Sequence, residues 1–566
     1  MTKKTSSSTK KKLEEVGNYL WRGGRRIELE KEDDRFTIMP SDEKQLELAR
    51  TVPGVRKVVP VTNQVYKVET TTTERDSSMS ALRSDAYNTI AHHSYRPKNS
   101  QGTIYYITDK IIVRFKPSAR TAQINQVLEK YGLNILKDYE IQEGNKNKNT
   151  YLLKVTSSSG ENPIKIANRL MEEEKIVEFA EPNMVNRFQP AFVPTDTLFN
   201  RQWHLNARDG PQLVEEASVM AISAWDTTRG KRSIVVAVID DGFDLNHPDF
   251  QGSGKVVFPK DYVDGDSNPF PTTERDDYHG TPCAGVAVAE SNGSGVVGAA
   301  HGCAFMPVRF PLEAEDDLLI EIFNEVGQKA DVISCSWGPP PAYAPLNTQM
   351  YNTIKDLATT GGPRGKGCVI CFAAGNYNAP VNDPANSEGV IWLDYGSGIL
   401  RVTQGPILNG LAAHPNVIAV ASSTSLNKHA AYSNWGNEIS VCAPSNNFHP
   451  LDRQQFVPGR GIWTTDNEAF GTGFTPHSRY TGSFGGTSSA TPLVAGVAAL
   501  VLSTNSDLTG MQVKNILQKT ADKITDTDED IVLGSNRGEY DNNGRCDWFG
   551  FGKVNAARAV DVANQQ

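Results

Sequence analysis

Cysteine is scarce in this chain: seven in 566 residues, an odd number with no dense cluster. That count excludes a disulfide-stapled scaffold. The lone C-x-x-C of Cys368 and Cys371 lies within a strand-like run and has no second pair, which argues against zinc. Positive charge is also short, with 57 Lys and Arg against 66 Asp and Glu, so the net charge of −9 speaks against general nucleic-acid binding. No apolar run approaches the ~20 residues of a membrane span. The basic start, MTKKTSSSTKKKLEEVGNYLW, has no apolar stretch behind it and is not read as a secretory signal. These absences predict a reduced, cytoplasmic setting with no membrane or nucleic-acid partner. What is present is a globular composition, 38% hydrophobic and 22% charged, long enough for two to four domains.

Three distant segments carry the residue types of one hydrolytic mechanism. SIVVAVIDDG ends an apolar, β-branched run at Asp240, the pattern of a parallel strand buried on both faces. Its carboxylate is expected at the carboxyl edge of the sheet, where open α/β folds build their sites. DDYHGTPCAG places His279 before a helix-like stretch of small residues. FGGTSSATPLVAG places Ser488 at the start of an apolar helix, with Pro492 expected in its opening turn. A serine there meets unpaired backbone N–H groups and the positive end of the helix dipole. A serine hydroxyl becomes a nucleophile when an imidazole can take its proton and a carboxylate orients that imidazole. Taken singly, the Asp reads as a turn residue, the His as a loop residue and Gly-Thr-Ser as a helix cap. Their co-occurrence in the order Asp, His, Ser predicts an activated serine.

These segments resemble the subtilisin-like (S8) serine peptidases. Asp240-Asp241-Gly242, the Cys of HGTPCAG and SCSWGP (Ser334 to Pro339) resemble the kexin/furin branch, and the constellation is similar to the cyanobacterial calcium-dependent proteases. The resemblance spans about Pro194 to Val560. It implies endopeptidase activity on a three-layer α/β/α fold with a mainly parallel sheet. It puts the nucleophile at Ser488 and not Ser489, since only Ser488 is in register with Gly486, Thr487, Ala490 and Pro492. It also makes Asn376, at the end of VICFAAGN, the side-chain donor to the oxyanion. Ser336, Trp337 and Gly338 become the segment that pairs with extended substrate.

Along the chain, residues 1–34 read as a mobile charged tail. Residues 35–104 read as an α+β segment (strand, helix, strand, strand up to Val68) followed by a polar loop from Thr71 to about Thr103. Residues 105–190 alternate strands and helices in an order that resembles the inhibitory βαββαβ propeptide of subtilases, and 191–566 form the catalytic domain. By the resemblance the propeptide inhibits its own enzyme, and self-cleavage is expected near Arg187, with Arg83 and Arg275 as other loop candidates. DWFGFGKVNAARAVDVA resembles the closing helix of the catalytic domain, leaving no room for the further β-rich domain of kexins.

Calcium is the expected cofactor. DYVDGDSNPFP is dense in oxygen ligands, and Asp261, Asp266 and Asn268 fall on positions resembling a calcium site of furin-like enzymes. Asp196, Asp249 and Asn292 suggest a second site. Asp241 and Asp276 occupy positions that in kexin-like enzymes face a basic P2 side chain, and such a carboxylate gives a cation a charge-assisted partner. After SCSWGP the kexin acids are replaced by PPAYAPLN, so the P1 preference for Arg or Lys falls to other acids, Asp383 and Asp394. The expected function is a calcium-dependent, self-processing, monomeric serine endopeptidase acting on polypeptides after basic residues. A non-catalytic scaffold and a transpeptidase or macrocyclase are the alternatives.

Overall fold

The structure, a computed structural model, describes residues 16–185 and 192–566 apart from 63, 85, 99–103, 140–148, 209 and 469–472. Arg187 lies outside the described residues. The chain divides into two compact units, Met1–Gln189 and Pro190–Gln566.

The first unit is a nine-stranded antiparallel sheet. Its main order is Val55–Pro60, Tyr66–Thr70, Arg25–Met39, Ile90–Pro97, Tyr105–Phe115, Thr150–Val155 and Leu133–Asp138. Tyr19–Arg22 also pairs with Arg25–Met39, and Val177–Val185 with Tyr105–Phe115. Helices Thr121–Lys130 and Pro163–Glu173 bury Ile124, Val127, Ile166 and Leu170 against Ile111, Val113 and Phe115. The order from Tyr105 onward is βαββαβ, with Leu133–Asp138 a strand the sequence patterns had not resolved.

Three expectations for this unit are corrected. Residues 17–34 are not a mobile tail, because most of them lie in Tyr19–Arg22 and Arg25–Met39, whose alternate side chains Leu20 and Leu29 are buried. The polar stretch after Thr71 is not loop. It holds helix Arg75–Arg83, which buries Met79 and Leu82, and strand Ile90–Pro97, whose His92, His93 and Ser94 disguise a sheet partner of Arg25–Met39. No boundary falls at 104/105, since Ile90–Pro97 and Tyr105–Phe115 pair with each other.

The second unit is built on a seven-stranded sheet with every pair parallel, in the order Lys260–Asp261, Ala304–Arg309, Val235–Asp240, Val332–Cys335, Val369–Ala373, Ile418–Ser423, Ile439–Pro444. Successive side chains of one strand enter opposite cores: Val236 and Val238 one, Val235, Ala237 and Ile239 the other. Helices Gly280–Val288 and Thr487–Thr504 cover the first face through Val286, Leu493 and Val497. Asp316–Val326 and Thr348–Thr360 cover the second through Phe323 and Ile354. This is the expected three-layer α/β/α sandwich.

Helix Thr487–Thr504 is long and apolar enough to cross a membrane by length and composition, but 94% of it is buried in this core. An all-round apolar helix is what a doubly packed core position requires. All seven cysteines are free and buried. The strand Val235–Asp240 has neighbours from later in the chain on both sides, so the winding reverses at its carboxyl end. Such switch points open a crevice. Asp240 ends that strand, while Ser336 and Asn376 follow the two strands beside it on one flank.

Candidate active site

Asp240 is fully buried, and its Oδ1 lies 2.9 Å from His279 Nδ1. The backbone N–H of Asp241 also donates to Oδ1. With Nδ1 on the carboxylate, Nε2 of His279 is the nitrogen left for a reacting group. Burial works against an imidazolium here, yet Asp240 more than compensates and holds the His279 pKa well above its ordinary 6.5. Cys283, one turn along the same helix, has Sγ 3.7 Å from Nδ1. Burial pushes its thiol up to about 11, which leaves it a neutral packing group and no nucleophile.

Ser488 sits in the first turn of Thr487–Thr504, and its Oγ donates to the Ser336 carbonyl at 3.3 Å. Pro492 lies deeper in the helix than expected, in its second turn. Lacking an N–H, it leaves the carbonyl four residues back without a helical donor, and that carbonyl belongs to Ser488. The Ser336 hydroxyl donates to it at 3.1 Å and the Cys283 thiol at 3.5 Å. The sheet segment and the His-bearing helix thus both grip the Ser488 backbone. Ser489 points elsewhere, into hydrogen bonds with Ser445 and the Gly486 carbonyl.

Asn376 reaches across to the same helix start. Its Oδ1 accepts from the Thr487 N–H at 2.8 Å and the Thr487 hydroxyl at 2.9 Å. Fixing Oδ1 twice fixes the amide, so Nδ2 is presented as a donor beside Ser488. Gly486, at φ +72, lets the loop pass this amide, since a Cβ there would lie 3.1 Å from Nδ2. Asn434, which no sequence pattern singled out, holds the loop from beneath: its Oδ1 accepts from Tyr377 and Ala379 N–H and its Nδ2 donates to the Ala374 carbonyl.

The expected subsite residues separate into two groups. Ser336 is buried against Ser488, Trp337 donates its indole N–H to the Ile239 carbonyl and packs on Phe310 and Phe372, and Gly338 is exposed. Asp276 is exposed on the turn before His279, at φ 58. Asp241 is buried rather than exposed like Asp276. Its two oxygens accept from the N–H groups of Tyr278, His279 and Gly280, capping the helix that carries His279. Burial, and next the Asp240 carboxylate, push its pKa up. The Asp394 oxygens are taken by Gly396, Ser397 and Arg401 of its own turn, whereas Asp383 uses Oδ1 for the N–H groups of Ala385 and Asn386 and keeps Oδ2 free of any protein donor among the described residues.

The subtilase family model, Peptidase S8, matches residues 231–552, which hold Asp240, His279, Asn376 and Ser488. The chain belongs to the subtilase family. A second model, the fervidolysin N-terminal prodomain, matches residues 95–183 of this subtilase. A calcium-dependent protease of Nostoc sp. is 35% identical over 490 residues, covering 82% of this chain and 65% of its own length. The chain thus spans less than two thirds of that relative. A dibasic-processing endoprotease of Yarrowia lipolytica is 30% identical over 334 residues, 58% of this chain and 30% of its own. The fold is also that of the serine protease of Aeromonas sobria, at a TM-score of 0.51 and 19% identity over 67% of this chain and 69% of that one.

Of the two residue sets expected to hold calcium, the subtilase assembles one. Asp196 and Asp249 are buried, and Asn292 bridges them: its N–H donates to Asp196 at 2.9 Å and its side chain to Asp249 at 3.1 Å. Neither carboxylate has a cationic partner among the described residues. Burial, with Asp196 adding to it, pushes the Asp249 carboxyl up to about 7. A pair of buried, uncompensated carboxylates and an amide oxygen suit a hard cation. The second set does not fit. Asp261 is paired at 2.9 Å with the buried guanidinium of Arg309, which also binds Asp264 and Asp277, while Asp266 and Asn268 are exposed on the turn. The charge the sequence assigned to a metal is supplied by Arg309, the last residue of an apolar strand that no local pattern linked to these acids.

Proposed function

We propose that this subtilase is a calcium-dependent serine endopeptidase, made as a self-processing zymogen, that cuts polypeptides after basic residues. The observation that carries the reading is the 2.9 Å Asp240–His279 bond beside a doubly fixed Asn376 amide at the start of the Ser488 helix. In the forward step Ser488 Oγ attacks the scissile carbonyl carbon and its proton passes to His279 Nε2. The carbonyl oxygen becomes an oxyanion that accepts from Asn376 Nδ2 and the unpaired Ser488 N–H. His279 then protonates the leaving amine as the C–N bond breaks, and water, activated by the same imidazole, hydrolyses the acyl-serine. A substrate N–H that pairs with the Ser336 carbonyl displaces the Ser488 hydroxyl from it, freeing the nucleophile for His279 as the cleft fills.

Support for a basic preference comes from the free Oδ2 of Asp383, from exposed Asp276, and from the likeness to a dibasic-processing endoprotease. The prodomain match and the βαββαβ order support the zymogen reading, with cleavage near Arg187. Calcium held by Asp196, Asp249 and Asn292 would neutralise the paired carboxylates and stabilise the fold without touching the reaction.

The experiment is incubation of the full chain with calcium, followed by intact mass and cleavage-site mapping on a peptide library. Wild type is expected to process itself and cut after Arg or Lys, Ser488→Ala to do neither while staying folded, and Asp383→Asn to lose the basic preference. Cleavage by Ser488→Ala, or a hydrophobic P1 in wild type, overturns the reading. A fluorophosphonate that labels Ser488 excludes the scaffold alternative.

A further inference from the structure

Between Asn376 and the strand Ile407–Asn409 the chain makes an excursion into a two-stranded hairpin, Val390–Asp394 with Ile399–Thr403. Among the described residues it pairs with no other strand, so its place must be set by side chains. At its base Asn386 donates to the carbonyls of Thr403 and Gly405, and the Thr403 hydroxyl donates to Pro341, three residues past Gly338. At its tip the Tyr395 phenol donates to the backbone carbonyl of Asn376. The Tyr395 ring stacks on Tyr377 at 5.3 Å and 17°, and Trp392 meets Tyr377 edge-on at 5.4 Å.

The Tyr395 ring has a cationic partner as well. The Arg453 guanidinium lies 4.5 Å from its centroid and 3.7 Å from that of Phe448. Phe448 stacks on Tyr432 at 3.9 Å, the Tyr432 hydroxyl donates to Ser445, and Ser445 donates to the Gly486 carbonyl, both at 2.7 Å. One hairpin tip is therefore tied to both strands of the loop pair that flanks the nucleophile, Asn376 on one side and Gly486 on the other.

Resting on the oxyanion role of Asn376, we propose that Tyr395 is a positioning residue for the oxyanion hole, its hydroxyl fixing the peptide group of Asn376 so that Nδ2 meets the tetrahedral oxygen. Thr487 fixes the far end of the Asn376 side chain and Asn434 the N–H groups after it. Tyr395 holds the remaining element, the carbonyl, against rotation of the peptide plane. A donor to a developing charge must be placed within roughly 0.5 Å, and misplacement by about 1 Å costs up to 10²-fold.

The test compares Tyr395→Phe with wild type in the mature, calcium-loaded enzyme. The ring and its stacking remain, so the melting temperature is expected to fall by no more than a few degrees. Loss of the hydroxyl should lower kcat about fivefold, the equivalent of one ordinary hydrogen bond, with KM within twofold. A peptidyl aldehyde, whose adduct with Ser488 puts an oxygen in the hole, should bind weaker by the same factor. Binding of an uncleaved peptide to Ser488→Ala should be unaffected by adding Tyr395→Phe. Arg453→Met, which removes the ring's cationic partner, should repeat the pattern more weakly. Unchanged kcat and aldehyde affinity in Tyr395→Phe overturn the proposal, as does an equal loss of peptide binding, which would make Tyr395 a substrate contact. If Asn376→Ala itself leaves kcat unchanged, the oxyanion role fails first, and the proposal with it.

Discussion

Replacing Asn376 separates two jobs that one amide performs. Its Nδ2 is the proposed donor to the oxyanion, and its Oδ1 accepts from the N–H and hydroxyl of Thr487, a fully buried residue. Asn376→Ala removes both. Loss of a preorganised oxyanion donor costs about 3–4 kcal/mol, or 10²–10³ in kcat, with little change in KM. The Thr487 hydroxyl can rotate to another acceptor, but its N–H cannot, and an unsatisfied buried donor costs about 1–3 kcal/mol of stability. Asn376→Asp divides the effects. A carboxylate still accepts from Thr487, so the melting temperature should stay near wild type. It offers no donor and sets negative charge against the oxyanion, so kcat should fall at least as far as in the alanine variant. The assay is steady-state hydrolysis of one peptide by the three proteins, with thermal melts alongside. An aspartate variant whose kcat stays within tenfold of wild type would refute the donor role.

Two further expectations concern protons and calcium. His279 acts as a base only when neutral and its pKa is held above 6.5, so kcat/KM should fall as pH drops through a limb lying above that value. Asp240→Asn removes the carboxylate that raises it, and should move the limb down while lowering kcat by about 10⁴; a limb that stays in place would show that another group titrates. EGTA should lower the melting temperature, and calcium at a hundredfold excess over Kd should restore about 2.7 kcal/mol. Asp249→Ala should abolish that response, whereas Asp266→Ala should leave it intact; the opposite pattern would return the ion to the Asp261 turn.

The segments bearing Asp240, His279 and Ser488 were readable because each chemistry-bearing residue adjoins a long apolar run whose period declares strand or helix. The strand Val369–Ala373 that leads to Asn376 was readable for the same reason. The capping contacts of Asp241 were not, because its partners are N–H groups of residues 278–280, far along the chain, and a capping carboxylate looks in sequence like any other acid. Arg309 was hidden likewise: only the pairing of Ala304–Arg309 beside Lys260–Asp261 brings it to Asp261. In the first unit, charge and histidine masked strands that alternate correctly but carry few aliphatic residues. Arg25–Met39 and Ile90–Pro97 form because the sheet supplies partners on both sides, information that no single stretch contains.

Pro492 sets stability against function in one backbone position. An alanine there would supply the absent N–H and close the helical turn on the Ser488 carbonyl, relieving a cost of about 3 kcal/mol for proline in a helix interior. It would also evict the Ser336 hydroxyl and the Cys283 thiol from that carbonyl, leaving two buried donors to find other partners. The helix would become sturdier while Ser488 lost its tethers to the Ser336 segment and the His279 helix. A thermostability screen of this protein would therefore be drawn to Pro492, and an activity screen should reject the same change.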